Sequence, residues 1–246
     1  AESGWYACGA RYLYANLLNA VSPANLGGDV YRFFAFRSAG RSDPALVAVL
    51  VRERLLGLAS MLIGLLLGAV AMQLQGDRHA ELARGVWLTL AGCAAAGLAI
   101  LALLPALIAR LSAAARRLRE VSSAISSASL RDYAVLLGWS LFALGLWIAC
   151  VQFVAIRLGL DLAWTFLAAV VTATELVRLL PVTVQGLGLR EGAFAALFGV
   201  SGYSPESGFV LGAVAYLALS AALVLTGAVG AALLAFDARR GSDAAR

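Results

Sequence analysis

The sequence predicts an all-α fold: a polytopic helical membrane protein with two oppositely oriented re-entrant hairpins, arranged like an inverted repeat. Three observations lead there. Of the 246 residues, 62% are hydrophobic and 13% charged, with mean hydropathy +0.87, whereas a water-soluble domain carries about 25% charged residues. Four charge-free windows reach the roughly 20 apolar residues that a helix needs to cross a bilayer core about 30 Å thick. Two further apolar segments are cut by Pro and Gly and carry acid–base pairs beside the cut. A single transmembrane domain over residues 1–246 follows. Because the chain starts at Ala1 without a methionine or signal-peptide pattern, it is expected to be an N-terminally truncated fragment.

The first element, over residues 5–36, is apolar from Trp5 to Ser22 apart from Arg11, breaks at Pro23, Gly27, Gly28 and Asp29, and resumes as Val30 to Phe36. It is too interrupted for an ordinary crossing and reads as a re-entrant hairpin. Its neighbours Arg37, Arg41, Arg52 and Arg54 place its mouth on the cytoplasmic side. Spanning helices follow over about 55–75 and 85–109. Glycines in these spans let helices approach closely, and the Gly64–Gly68 pair reads as internal packing in preference to a dimer interface. The connector 110–132 is the most basic, with Arg110, Arg116, Arg117, Arg119 and Arg131, and reads as an amphipathic helix on the cytoplasmic headgroups, with a plain solvated linker as the alternative because its Ser122 to Ser129 half is only weakly apolar.

A third span over 133–156 then runs outward, and a fourth over 207–236 runs inward toward Arg239, Arg240 and Arg246, leaving the C-terminus cytoplasmic. Residues 162–200 must therefore start and finish outside, although both of their limbs are apolar. The second limb, Leu189 to Val200, is too short to cross. This segment is the second re-entrant hairpin, bent at Pro181, Gly186 and Gly188. Irregular backbone at that depth requires burial in protein or a wet cavity.

The charge of +5 comes from nineteen arginines and no lysine, clustered between apolar runs without interleaved aromatics, which argues against a nucleic-acid partner. Cys8, Cys93 and Cys150 are widely spaced in apolar stretches and read as small core residues. His79, the one histidine, sits in a polar patch with Asp77, Arg78 and Glu81 and reads as a solvated loop residue. With no Ser/His/Asp, Cys/His or metal-spaced set near either break, neither a metal, a cofactor nor enzymatic chemistry is expected.

The two breaks share an outline. Pro23, Gly27 and Gly28 precede Asp29 and Arg32; Pro181, Gly186 and Gly188 precede Arg190 and Glu191. Broken helices in corresponding halves, entering from opposite faces, point to a transport site between them. A charge inside the bilayer costs roughly 2.5 to 3.5 kcal/mol even on the lenient insertion scale. Asp29 with Arg32 and Glu175 with Arg178, each three apart on a helix, are spaced to pair, whereas adjacent Arg190 and Glu191 need other partners. Two readings follow: the pairs neutralise one another and lock the hairpins, or the helix ends and arginines receive an anionic group such as a lipid phosphate.

These residues, Asn19-Ala-Val-Ser-Pro23, Gly27-Gly28-Asp29, Arg32, Leu180-Pro181 and Gly186-Leu-Gly188-Leu-Arg190-Glu191-Gly192, together with Arg54-Leu-Leu, resemble the flippase-like transmembrane region of bacterial lysylphosphatidylglycerol synthases and its stand-alone relatives. The resemblance covers nearly the whole chain. It implies a bacterial or archaeal cytoplasmic membrane protein that moves an anionic phospholipid or lipid-linked headgroup between leaflets, along a path of Asp29, Arg32, Glu175, Arg178, Arg190 and Glu191. Two departures stand out. The helices that usually precede the first motif are missing, and so is the soluble aminoacyl-transferase domain, so this chain is not expected to make lysyl-lipid itself. The competing expectations are a non-transporting subunit that presents lipid to, or anchors, a partner enzyme, and an ion-coupled transporter using Glu175 or Asp29 as proton site. A homodimer is compatible with each.

Overall fold

Runs of Leu, Ala, Val and Gly with no polar backbone partner nearby leave the helix as the conformation that satisfies every amide internally in lipid. In the computed structural model, described over residues 5–22, 26–38, 40–74, 84–85, 121, 123, 125, 129–178 and 186–243, the described residues form seven α-helices and no strand. They are α1 (Trp5–Val21), α2 (Gly27–Arg37), α3 (Asp43–Leu74), α4 (Leu130–Arg157), α5 (Trp164–Arg178), α6 (Leu189–Val200) and α7 (Pro205–Asp243). The all-α expectation holds. The span expected over 85–109 and the connector 110–132 fall almost wholly outside the described residues, as do Pro23, Pro181, His79 and Cys93.

Among the described residues, three helices are long and apolar enough to cross a membrane: Asp43–Leu74, Leu130–Arg157 and Pro205–Asp237. The first begins at Asp43, well before the expected Leu55, so Arg52, Glu53 and Arg54 belong to the helix itself and not to a loop. α4 starts at a capping box in which the Ser129 hydroxyl accepts from the Asp132 amide at 3.2 Å and the Asp132 carboxylate accepts from the Ser129 amide at 3.1 Å. The other helices have 17, 11, 15 and 12 residues. At 1.5 Å per residue they reach only about 17 to 26 Å, short of the bilayer core.

The surface is inverted relative to a water-soluble protein. Trp139 is 65% exposed and Leu217 73%, while Thr172 and Thr174 are fully buried. An apolar exterior, with the polar and charged side chains kept inside among apolar ones, is what a lipid solvent selects. Cys150 belongs to that exterior: it is exposed on α4, and Cys8 is half-buried. The expectation that the cysteines fill the core is thereby corrected for these two, since lipid accepts a small apolar thiol as readily as a core does.

α3 and α7 act as two spines, and each pair of short helices lays one limb on each spine. α1 packs on α7 and α2 on α3; α5 packs on α3 and α6 on α7. Small residues set these contacts. A side chain at Gly208 or Gly212 would run into Phe194 of α6, and one at Gly230 into Ala10 and Tyr14 of α1. Gly208 and Gly230 stand about 33 Å apart along α7, so α6 and α1 occupy opposite ends of one membrane-length helix. On α3 the order is matched: α2 meets Glu53 and Arg54, and α5 meets Gly64 and Gly68 through Thr172 and Ala169. The Gly64–Gly68 pair thus serves internal packing. A main core of Phe166, Phe194, Phe198, Leu211 and Tyr216 joins α5, α6 and α7, with Ile148, Val151 and Ala155 of α4 against it.

Candidate functional site

The first break is closed by its own side chains. α1 ends in a turn where the Gly27 amide donates to Ser22 Oγ at 2.8 Å and the Gly28 amide donates to Asn19 Oδ1 at 2.7 Å. Any side chain on Gly28 would enter the Ala15 carbonyl of α1. The two glycines are there because α1 and α2 nearly touch. The amides at this helix start, expected to face a ligand, are already occupied.

Asp29, one residue further, is buried and accepts from Arg32 Nη2 at 2.6 Å, as the i, i+3 spacing predicts, and from Arg54 Nε and Nη2 at 3.0 and 2.6 Å. Arg32 Nη1 donates in turn to Glu53 at 2.7 Å, and its guanidinium lies 5.0 Å over the Tyr12 ring. Two acids and two bases therefore neutralise one another across α2 and α3. Glu53 was not anticipated as a partner, and Arg54 only as part of a motif. Alternating charges in Arg52-Glu53-Arg54, just before an apolar run, were the available signal.

The second break gathers Glu175, Arg178, Arg190 and Glu191 from α5 and α6. Gly186 and Gly188 take φ +74° and +81°, the left-handed region where a β-carbon is disfavoured. A side chain on Gly186 would stand 3.1 Å from Arg178 Cγ and 3.2 Å from Arg190 Cγ, so this glycine lets the two arginine stems flank the turn. Glu175 Oε2 accepts from Arg178 Nε at 2.8 Å, again as the spacing predicts. Glu175 Oε1 accepts from the Tyr216 hydroxyl of α7 at 2.8 Å, and Glu191 Oε2 accepts from the Gly188 amide at 2.8 Å.

Arg190 is different from every other member. It is 1% exposed, its guanidinium sits 4.1 Å over the Tyr216 ring, and among the described residues Nε and Nη2 have no hydrogen-bond partner. A buried donor without an acceptor costs about 1 to 3 kcal/mol, more when charged. Tyr216 escaped the sequence reading; a lone tyrosine in a span of Ala, Leu and Val was the clue, because its hydroxyl needs a partner there.

The charged residues thus form two groups, one on α2 and α3 and one on α5, α6 and α7. Since Thr172 faces Gly64 and Ala169 faces Gly68, Glu175 projects onto α3 about 10 Å from Arg54 along the axis. Both groups therefore lie between the two ends of α3. Among the described residues, no three His, Cys, Asp or Glu side chains lie together as metal ligands would.

A family model described as "Lysylphosphatidylglycerol synthase TM region" matches residues 2–230. None of the curated proteins and none of the solved structures matches the chain.

Proposed function

Because the chain belongs to the lysylphosphatidylglycerol synthase transmembrane-region family, we propose that it translocates a phospholipid or lipid-linked headgroup between the leaflets of a bacterial or archaeal cytoplasmic membrane. In this reading α1–α2 enters from the cytoplasmic side and α5–α6 from the outer side, with the C-terminus cytoplasmic. Anionic lipid is the substrate, and no covalent chemistry is involved. Asp29, Arg32, Glu175, Arg178, Arg190 and Glu191 line the route. The observation that carries it is Arg190, a buried guanidinium with two unanswered donors at a break in the helix, which is costly for stability and suited to a phosphate.

The competing reading, a subunit that presents lipid to or anchors a partner enzyme, draws on the first break, where Asp29, Arg32, Glu53 and Arg54 satisfy one another as glue would. Reconstitution in liposomes separates the two. Labelled anionic and zwitterionic lipids are followed between leaflets for wild type and Arg190→Ala. Translocation predicts Arg190-dependent exchange, and well-folded protein that exchanges nothing would sink it in favour of the subunit.

A further inference from the structure

We propose that Tyr216 is a positioning residue that keeps Arg190 open to an anionic phosphodiester by occupying the carboxylate that would otherwise close on it. This rests on the lipid-translocation reading and names the chemistry of that same site. A buried guanidinium and a buried carboxylate attract strongly in a low-dielectric interior and collapse into a pair unless something intervenes. Here Glu175 has both oxygens engaged, Oε1 by the Tyr216 hydroxyl and Oε2 by Arg178 Nε, each at 2.8 Å. Glu191 is held at the helix start by the Gly188 amide.

Tyr216 does a second thing. Its ring face holds the Arg190 guanidinium at 4.1 Å, an attraction that uses none of the N–H groups. The result is a fixed cation whose Nε and Nη2 remain free of acceptors. Trp147, with its ring centroid 5.3 Å from that of Tyr216, also buries an Nε1 without a partner. Arginine and tryptophan nitrogens only donate, so the guest they suit is rich in acceptor oxygens. The first break makes the contrast: Arg32 also lies over a tyrosine, Tyr12, but both of its terminal nitrogens are bonded to Asp29 and Glu53. Among the described residues no comparable hydroxyl diverts those carboxylates.

Tyr216→Phe keeps the ring and deletes the hydroxyl. Glu175 Oε1 then turns to Arg190, and exchange of labelled phosphatidylglycerol in liposomes falls by about tenfold or more, the value of one lost charge-assisted hydrogen bond. Because Glu175 itself lines the route, Tyr216→Phe/Glu175→Gln is read at the Arg190 guanidinium and not by exchange: a neutral amide does not capture the guanidinium, so the arginine is released again. Unchanged exchange in Tyr216→Phe overturns the proposal.

Nitrogen-15 NMR of arginine side chains reads the same event without lipid transport. The Arg190 Nε–H resonance, assigned by its absence in Arg190→Lys, moves on carboxylate pairing in Tyr216→Phe and returns in the double variant; a resonance that stays put refutes the positioning role. If wild type exchanges no lipid at all, the translocation reading fails while this spectrum still decides the role of Tyr216. Inorganic phosphate as competitor assigns the source of the anion: slowed exchange marks a receptor for the phosphate group alone, and unaffected exchange marks one that needs the attached lipid.

Discussion

Replacing Arg190 and Asp29 by leucine has opposite expected effects on stability. Arg190→Leu removes two buried nitrogens without acceptors, relieving about 1 to 3 kcal/mol for each. Against this stand a desolvated cation–π contact with Tyr216, about 2 kcal/mol, and the loss of counter-charge for Glu175 and Glu191. Relief and losses largely offset, leaving a balance between neutral and about 3 kcal/mol stabilising. Asp29→Leu instead removes an acceptor of three short bonds and leaves the half-buried Arg32 and its neighbour Arg54 with Glu53 as the one remaining acid of the group. Breaking such a pair costs about 3 to 5 kcal/mol, toward the lower end because the Arg54 side chain is 42% exposed and can hydrate. Unfolding of the detergent-purified variants by heat or by a denaturing detergent measures the sign, with leaflet exchange run in parallel. Arg190→Leu should keep or gain stability while exchange is lost. If it destabilises as much as Asp29→Leu, the guanidinium is structural and the reasoning about its open donors is refuted.

Two further outcomes test the architecture. Gly28→Ala drives a methyl group into the Ala15 carbonyl and to 2.8 Å from Asn19 Cγ, so it should cost about 1 to 3 kcal/mol by overpacking. Gly192→Ala, where a β-carbon meets nothing within 4 Å, should be neutral or stabilising by roughly 0.5 to 1 kcal/mol; equal melting temperatures would remove the close α1–α2 approach as the reason for the Gly27-Gly28 pair. For the re-entrant placement, fluorophores on Leu26→Cys and Leu187→Cys, both exposed beside the breaks, should be quenched better by lipids brominated deep in the acyl chains than by lipids brominated near the headgroup. The reverse order at either site would put that break at the membrane surface.

Much of the first-order organisation was readable one segment at a time. The long spans announced themselves because about 20 apolar residues have few other uses. The pairs Asp29–Arg32 and Glu175–Arg178 followed from i, i+3 spacing alone, and both form, at 2.6 and 2.8 Å. Breaks after Val21 and Arg178 followed from Pro and Gly. Less visible was the start of α3 at Asp43, because Arg52, Glu53 and Arg54 interrupt the apolar run and are neutralised only by Asp29 and Arg32 of another helix. Cys150 was misplaced because apolar surroundings in sequence do not distinguish a core from lipid.

What the sequence determined by itself was composition, helix, break and local pairing, all consequences of interactions within a turn or two of one helix or between a helix and its solvent. Which limb lies on which spine was decided only in three dimensions, since it depends on Gly208 and Gly212 fitting Phe194 and on Gly227 and Gly230 fitting Leu17, Leu13 and Tyr14. The same is true of the difference between the two breaks. Asn19, Ser22 and Arg54 close the first, while Tyr216, 41 residues beyond Glu175, occupies the acid that Arg190 would have taken. Close packing brings those groups together across helices, and no periodicity within a single helix encodes it.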